Sequence, residues 1–303
     1  MKLAYFNDFT LGIVKDDSVV DVSGIVRDIP HLGPHDLISG LIERWAQYRE
    51  RLEEAAGPSS DGIPLGRVRL RAPLPRPGKM LCMARNFIES PDEEAQPLNA
   101  FLKSPNAVSD PGSTVVIPSA PAAIFEHEAE LAVVIGRRAS HIKAADAYDH
   151  VFGYVNFMDV SARGLAVGNL ATDTFFPGKS WHTFAPMGPY LVTADEIPDP
   201  QHLQVKLWVN DELRQDYPMT GMARSIAESL EWASAITPLD PGDIFSCGTN
   251  HRGLGPLQDG DVVEMEGAGL GRLRVEVKDA LRREWPRLTR AQKEAAEAKG
   301  SAG

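Results

Sequence analysis

Residues 125–136 read F-E-H-E-A-E-L-A-V-V-I-G, a strand-forming run that carries three glutamates in its first half. Side chains two positions apart on a strand project from the same face, so Glu128 and Glu130 should point together. A buried pair of carboxylates is costly unless a cation compensates it. Asp159 would add a third anionic oxygen, and an all-oxygen set suits a hard divalent ion such as Mg²⁺, with Mn²⁺ or Ca²⁺ as alternatives. From spacing alone, ordinary acids on a solvent-facing strand edge are the competing interpretation.

The composition indicates a globular protein with a large core, because the 303 residues are 43% hydrophobic and 24% charged. The formal net charge of -11 argues against a nucleic-acid or anionic-membrane surface, which would need clustered Lys and Arg. Cys82 and Cys247 are too few for a disulfide framework. The N-terminus lacks a signal-peptide pattern, and no apolar run approaches the ~20 residues of a spanning helix. We therefore expect a cytoplasmic protein that binds neither nucleic acid nor membranes.

The chain is expected to divide at a Pro-, Gly- and Arg-rich stretch, residues 72–78. Residues 1–72 combine short β-prone runs with a helical period from His35 to Leu52, which predicts a small N-terminal α+β domain. Residues 73–285 are dominated by strands and turns without βαβ alternation, which predicts a mainly β domain. Residues 286–303 are rich in Ala, Glu, Lys and Arg without a large apolar face, which predicts a frayed helix or a flexible C-terminal tail.

Two hairpins and one helix are predicted within the larger domain. Alternating apolar residues flank turn residues at 205–213, and a second pair of alternating runs lies at 262–277. Apolar residues at helical spacing between Met222 and Ala233 predict the helix, with Thr220 as its N-cap.

Seven short motifs together resemble one known family in order and in spacing, the fumarylacetoacetate hydrolase family. They are M-A-R-N-F (83–87), F-L-K-S-P (101–105), H-E-A-E-L-A-V-V-I-G (127–136), G-Y-V-N-F-M-D-V-S-A-R (153–163), K-S-W-H-T-F (179–184), P-M-G-P (186–189) and P-G-D-I-F-S-C-G-T (241–249). The resemblance spans about residues 78 to 280. It implies a β-roll of antiparallel sheets, a homodimer, and a divalent ion held by Glu128, Glu130 and Asp159.

The same resemblance implies the chemistry and the roles of further residues. Family members cleave a carbon–carbon bond of a 1,3-diketo acid, and others tautomerise or decarboxylate related oxo acids, always through an enolate. By this likeness Lys179 stabilises the enolate or returns a proton to it, while Arg163 orients the substrate and Thr249 binds a substrate oxygen. Arg85 and Phe87 would contact the substrate as well. For Lys179 a solvated surface lysine is the alternative, and for Arg163 a salt bridge behind the site.

The sequence departs from the family pattern at the position of the general base. Hydrolytic members carry a histidine on a mobile lid that activates the attacking water with the help of a glutamate. Here Ser90 occupies that position, and serine alone cannot accept a proton at neutral pH. Glu89, Glu93 or His251 could replace the missing base, although each could equally be a solvated residue. His127 should face away from Glu128 and either belong to the core or support the site residues from behind.

These features predict a divalent-metal-dependent enzyme of catabolism that hydrolyses a C–C bond of a small acylpyruvate-like oxo acid or β-diketone. Two alternatives remain open. One is tautomerase, isomerase or decarboxylase chemistry at the same metal site. This chemistry needs no activated water, so the altered lid favours it. The other is a non-catalytic relative that binds a metal and a ligand.

Overall fold

Strands dominate the computed structural model, which describes residues 1–58, 60–167, 170–172 and 175–300. In chain order they begin with β1 (Lys2–Phe6), β2 (Thr10–Lys15), β3 (Ser18–Asp21), β4 (Ile63–Pro64), β5 (Leu70–Arg71), β6 (Met80–Met83), β7 (Ala100–Leu102), β8 (Val108–Ser109), β9 (Thr114–Ile117) and β10 (Ile124–Glu126). They continue with β11 (Ala129–Ile135), β12 (Val151–Met158), β13 (Ser161–Arg163), β14 (Leu165–Val167), β15 (Leu170–Thr172), β16 (Ala185–Thr193), β17 (Gln204–Val209), β18 (Glu212–Pro218), β19 (Ile244–Ser246), β20 (Val262–Gly267) and β21 (Arg272–Asp279). The α-helices are α1 (Pro34–Glu43), α2 (Trp45–Ala55), α3 (Phe175–Lys179), α4 (Ile226–Ile236) and α5 (Arg290–Gly300).

The largest sheet has the strand order β4-β3-β2-β1-β16-β12-β11-β19-β6-β7, with β5 paired to β1 and β8 to β16. Its central strand β11 is buried along its whole length, which explains its unbroken apolar sequence after Glu130. The N-terminal strands extend the same sheet, because Lys2 of β1 pairs with Val192 of β16. The division into domains at residue 72 stays a prediction, and it falls between β5 and β6.

A second sheet has the order β18-β17-β20-β21-β9 and contains both predicted hairpins. Strand β21 alternates exposed and buried residues along its length, so one face packs on the core and the other meets solvent. Asn156 of β12 joins the two sheets: its side-chain oxygen accepts from the Gly267 N–H at 2.7 Å and its amide donates to the Gly271 carbonyl at 2.8 Å. The predicted mainly β architecture is confirmed.

Two details of the predicted helices are wrong. The helical period from His35 to Leu52 is interrupted at Arg44, whose φ of -103° and ψ of 18° separate α1 from α2. Helix α4 is capped by Ser225 and not by Thr220, because the Ser225 hydroxyl accepts from the Glu228 N–H while the Glu228 carboxylate accepts from the Ser225 N–H. Thr220 instead lies in a short 3-10 turn.

The C-terminal segment is helical over Arg290–Gly300, and a helix is one of the two forms predicted for it. The Arg290 N–H donates to the Leu254 carbonyl at 2.9 Å, and Thr289 is buried. The flexibility of this segment stays a prediction. No helix within the described ranges combines the length and the apolar character that a membrane span needs.

Candidate metal and substrate site

Three carboxylates converge where β11 and β12 lie side by side. Glu128 immediately precedes β11, Glu130 is its second residue, and Asp159 immediately follows β12. These strands pair antiparallel, and one further hydrogen bond lies beyond their last paired residues: the Asp159 N–H donates to the Glu128 carbonyl at 2.9 Å. One oxygen from each carboxylate lies within 4.8 Å of the others, and the three residues are only 1–2% exposed. This burial contradicts the solvent-facing alternative, and the group could hold a metal ion.

Two buried lysines neutralise part of this negative charge. Lys179 Nζ lies 2.6 Å from Glu128 Oε2 and also contacts Asp159. Lys103 Nζ lies 2.5 Å from Asp159 Oδ1 and donates to the Val160 carbonyl at 3.2 Å. Burial alone would lower the pKa of Lys179, but Asp159 and Glu128 outweigh it and raise that pKa above its ordinary value. Lys179 is therefore a fixed cation at the site, which contradicts the surface-lysine alternative.

Glu130 contacts no cation among the side chains that the structure describes. Its carboxylate accepts a hydrogen bond from the Ser246 hydroxyl, which is neutral. Burial, with Asp159 and Glu128 nearby, raises the pKa of Glu130 well above its ordinary value. A buried acid in this position calls for a further positive charge, and the all-oxygen donor set matches the ligands that Mg²⁺, Mn²⁺ and Ca²⁺ prefer. The residues present thus fit a divalent ion.

Arg163 lies beside the carboxylates and takes part in a chain of ion pairs. Its Nε lies 3.2 Å from Glu126 Oε2, and its Nη2 contacts Glu128. Glu126 also binds Arg290, with 2.5 Å between Glu126 Oε2 and Arg290 Nη2. The salt-bridge alternative for Arg163 therefore holds in the structure, and its role toward substrate stays a prediction.

Two of the candidate bases form a pair with each other. Glu89 Oε1 lies 2.5 Å from His251 Nδ1 and accepts the His251 backbone N–H at 2.7 Å. A carboxylate only accepts hydrogen bonds, so Nδ1 donates its proton to Glu89, and in the neutral form of the ring Nε2 offers the lone pair. Burial acts to raise the pKa of Glu89, but both hydrogen bonds from His251 outweigh it and hold that pKa below its ordinary value. Glu93 supports the pair by accepting the Glu89 N–H at 2.7 Å.

A single cavity of about 960 Å³ brings almost all predicted site residues together. Asp159 is the exception and lies behind the wall, in contact with both lysines. Neither Ser90 nor His127 lines the cavity. The ten predicted residues that do line it are Arg85, Phe87, Glu89, Glu93, Glu128, Glu130, Arg163, Lys179, Thr249 and His251.

Neighbouring side chains fix Thr249 and Phe87 in the cavity wall. Gln215 Nε2 donates to Thr249 Oγ1 at 2.8 Å, and the Gln215 amide oxygen lies 3.1 Å from His127 Nδ1. The rings of Phe87 and Tyr217 meet edge to face with centroids 5.0 Å apart. His127 is buried, and burial lowers its pKa to about 4, so it belongs to the core.

Three residues of the site were not predicted from the sequence. Lys103 lies within the F-L-K-S-P motif, so the motif itself could have revealed it. Gln215 is the second residue missed: strand alternation in β18 marks it only as a buried position. The third, Arg290, comes from the segment predicted to be a tail, where no local pattern distinguishes it from other charged residues.

The chain is similar to known proteins of one family. Residues 79–278 match the model of the fumarylacetoacetate (FAA) hydrolase C-terminal family. An oxaloacetate tautomerase from Bacillus subtilis is 34% identical over 283 residues, which cover 86% of this chain and 93% of the relative. A maleylpyruvate hydrolase from Aquipseudomonas alcaligenes is 29% identical, covering 92% of this chain and 99% of the relative.

Solved structures show the same fold. The crystal structure of maleylpyruvate hydrolase from Sphingobium sp. SYK-6 matches with a TM-score of 0.82 and 34% identity, covering 92% of this chain and 100% of that chain. The same enzyme in complex with manganese (II) ion and pyruvate matches with a TM-score of 0.82 and 33% identity, covering 92% and 99% of the two chains. The resemblance inferred from the motifs is confirmed: the chain belongs to the fumarylacetoacetate hydrolase family.

Proposed function

We propose that this protein is a divalent-metal-dependent hydrolase that cleaves the C–C bond of a small acylpyruvate-like acid. The observation that carries the proposal is the pair formed by Glu89 and His251, which lines the same cavity as Glu128, Glu130 and Lys179. A hydrolase needs a general base that takes a proton from the attacking water, in addition to a site that binds the oxo acid. In this chain an imidazole held by a carboxylate supplies the base that Ser90 cannot.

In the proposed reaction the ion, His251, Glu89 and Lys179 each have a task. An ion held by the three carboxylates would polarise the 2-oxo group of the substrate and favour its enolate form. His251 Nε2 takes a proton from water while Glu89 holds the Nδ1–H, and the water oxygen adds to the acyl carbonyl carbon. The bond from that carbon to the pyruvate methylene then breaks, and its electron pair stays on the pyruvate part. The Lys179 ammonium stabilises the negative charge there, and the proton taken up by His251 passes to the methylene carbon, which completes the pyruvate product.

The solved relative supports this choice of metal and product class. The Sphingobium maleylpyruvate hydrolase was crystallised with manganese (II) ion and pyruvate. We propose Mn²⁺ or Mg²⁺ as the ion of this chain, with an oxo acid as substrate and pyruvate as one product. Assembly as a homodimer stays a prediction.

Oxaloacetate tautomerase activity is the second candidate function. The 34% identity to the Bacillus subtilis tautomerase over 86% of this chain favours it. Tautomerisation moves one proton between carbon and oxygen and uses the ion and Lys179 without an activated water. The Glu89–His251 pair would then have no water to activate.

Product analysis distinguishes the two functions. The Mn²⁺-loaded protein is incubated with acetylpyruvate, and separately with the enol form of oxaloacetate, with a chelator-treated sample as control. We expect acetate and pyruvate in equal amounts from acetylpyruvate, and no products after chelation. Accelerated conversion of enol-oxaloacetate without any cleavage of acylpyruvates would overturn the proposal in favour of a tautomerase.

A further inference from the structure

Two aromatic rings form part of the cavity wall next to Lys179. We propose that Phe101 and Phe175 bind the acyl end of the substrate, so that the protein prefers oxo acids whose acyl group carries an aromatic ring. This inference rests on the proposed function, because it assumes that the 2-oxo acid end binds near the three carboxylates and Lys179. It names the class of substrate that this site would take.

The two rings are stacked on each other, and one of them keeps an accessible face. Their centroids lie 4.5 Å apart and their planes differ by 9°. Both residues line the cavity, but Phe101 is only 8% exposed whereas Phe175 is 36% exposed. Because Phe101 covers one face of the Phe175 ring, the exposed part of Phe175 is its other face and its edge. A flat ring of a ligand can continue the stack there.

The rings lie close to the position at which the enolate would be held. Lys179 Nζ is 5.3 Å from the centroid of the Phe101 ring. Phe175 and Lys179 are the first and last residues of α3, four positions apart, so they lie on the same face of that helix. Two carbons separate the 2-oxo carbon of an acylpyruvate from its acyl substituent. An enolate bound at Lys179 would therefore bring that substituent to the aromatic pair.

Hydrogen bonds hold α3 beside β7, the strand that carries Phe101. The Ser104 N–H, shortly after β7, donates to Ser180 Oγ, directly after α3, at 3.0 Å. Trp181 Nε1 donates to the Pro177 carbonyl at 2.6 Å within the same segment. The two rings thus extend from backbone that is already fixed, and a ligand would not have to order them, which lowers the entropic cost of binding.

The charges at the C-terminal end of the cavity do not call for a charged acyl group. Arg163 and Arg290 together face both Glu126 and Glu128, so their positive charge is matched by two carboxylates. Arg85 also lines the cavity and has no ion pair within the described part of the chain. One such guanidinium matches the single carboxylate of a 2-oxo acid whose acyl group is uncharged.

The cavity has room for an acyl group much larger than acetyl. Its volume of about 960 Å³ is near the upper end of the range for small-molecule sites, roughly 300–1,000 Å³. Apolar side chains besides the stacked pair also line it, namely Met83, Phe87, Pro97 and Leu98. An aromatic acyl group would bury apolar area against them, which favours binding.

Calorimetry with uncleavable oxo acids tests the inference without requiring turnover. The Mn²⁺-loaded wild type is titrated with 2-oxo-4-phenylbutanoate, 2-oxopentanoate and 2-oxoglutarate. These acids carry a phenyl, a methyl and a carboxylate group at the position of the acyl substituent, and they lack the second carbonyl to which water would add. A fourth ligand, 2-oxo-4-cyclohexylbutanoate, separates ring stacking from the burial of apolar area.

Variants at two neighbouring phenylalanines locate the effect. Phe175→Ala removes the accessible ring, and Phe175→Leu keeps an apolar side chain without a flat face. The matched control is Phe176→Ala, because Phe176 is the next residue of α3 and is 71% exposed but does not line the cavity. Thermal denaturation shows whether each variant is folded, and the wild-type ligand series tests the inference even if Phe175→Ala does not fold.

We expect wild type to bind 2-oxo-4-phenylbutanoate about ten- to a hundredfold more tightly than 2-oxopentanoate, because the phenyl ring adds buried apolar area and stacking. The cyclohexyl ligand should lie between them, and 2-oxoglutarate should bind no more tightly than 2-oxopentanoate. Phe175→Ala should lose about tenfold in affinity for the phenyl ligand and less than about twofold for 2-oxopentanoate. Phe175→Leu should lose less, and Phe176→Ala should match wild type.

Equal weakening of the phenyl and methyl ligands in Phe175→Ala would overturn the inference. A wild type that binds 2-oxoglutarate most tightly, or the phenyl ligand no more tightly than the methyl one, would overturn it as well. A protein that shows the expected affinity pattern but cleaves neither acetylpyruvate nor benzoylpyruvate would instead refute the proposed function alone.

Discussion

Glu130 is the site carboxylate with the least compensation, since it accepts a hydrogen bond from the neutral Ser246 hydroxyl and lies near two further acids, Asp159 and Glu128. If it binds a divalent ion together with Glu128 and Asp159, Glu130→Ala should abolish measurable Mn²⁺ binding while the protein stays folded, because a hard ion depends on anionic oxygens. Glu93→Ala is the matched control, since Glu93 lines the same cavity outside the triad. Calorimetric titration with Mn²⁺ measures both. Unchanged affinity in Glu130→Ala would show that the ligand set is wrong.

The Lys179 ammonium bridges Glu128 and Asp159, and the proposed reaction uses it to stabilise charge on the substrate. Lys179→Met should therefore lower kcat more than it raises KM, by about 2 to 4 kcal/mol in the barrier. Lys143→Met is the control, because Lys143 is an exposed lysine paired with Glu231. Steady-state kinetics at saturating Mn²⁺ measures the effect, and a near-normal kcat in Lys179→Met removes the residue from the mechanism.

Some site residues could be predicted from the sequence, and others could not. Strand geometry predicts that Glu128 and Glu130 point together, because side chains two positions apart lie on one face, whereas only the family resemblance joined Asp159 to this pair. The link between Glu89 and His251 could not be predicted, since 162 positions separate them and only the folded chain decides which candidate bases meet. His127 could be assigned to the core from the same alternation that grouped the two glutamates.

Among the elements, β12 determines where Asp159 lies, and its pairing with β16 depends on Gly153. A Cβ atom at Gly153 would lie 2.1 Å from the Val192 carbonyl oxygen, so backbone would have to move. Gly153→Ala should lower the free energy of unfolding by about 1 to 3 kcal/mol, the usual cost of overpacking. The matched control is Gly24→Ala, where nothing lies within 4 Å of the added Cβ. Urea denaturation compares the two, and equal stability would contradict this description of the strand pair.

The elements also show why some local predictions failed. Alternation and turn residues identified both hairpins because buried positions alternate with partly or fully exposed ones along β17, β20 and β21. Apolar spacing located α4 but not its first residue, because Met222 packs in the core without being helical. The helix starts after the Ser225-x-x-Glu228 capping pattern. The interruption at Arg44 has no such local signal, because the apolar period continues across it.

Across the whole molecule, the cavity is built from segments that are far apart in the chain. Its lining residues come from 83–101, 128–130, 162–164, 175–179, 249–251 and 290. The family motifs predicted most of these segments, since the order of the motifs implies one shared fold. Arg290 lies beyond them, and its place in the cavity depends on how the C-terminal segment packs, which composition cannot reveal.

The central claim is that this chain hydrolyses a C–C bond with His251 as the base, and its most direct test separates cleavage from proton transfer. The Mn²⁺-loaded wild type, His251→Gln and the control His182→Gln are each given acetylpyruvate and enol-oxaloacetate. His182 is an exposed histidine outside the cavity lining. Acetate release measures cleavage, and ultraviolet absorbance measures ketonisation.

We predict that His251→Gln loses acetate release by about 10²–10⁴-fold, the usual contribution of a positioned general base, while ketonisation stays within about threefold of wild type. His182→Gln should match wild type in both assays. Acetate release by His251→Gln at the wild-type rate would contradict the account.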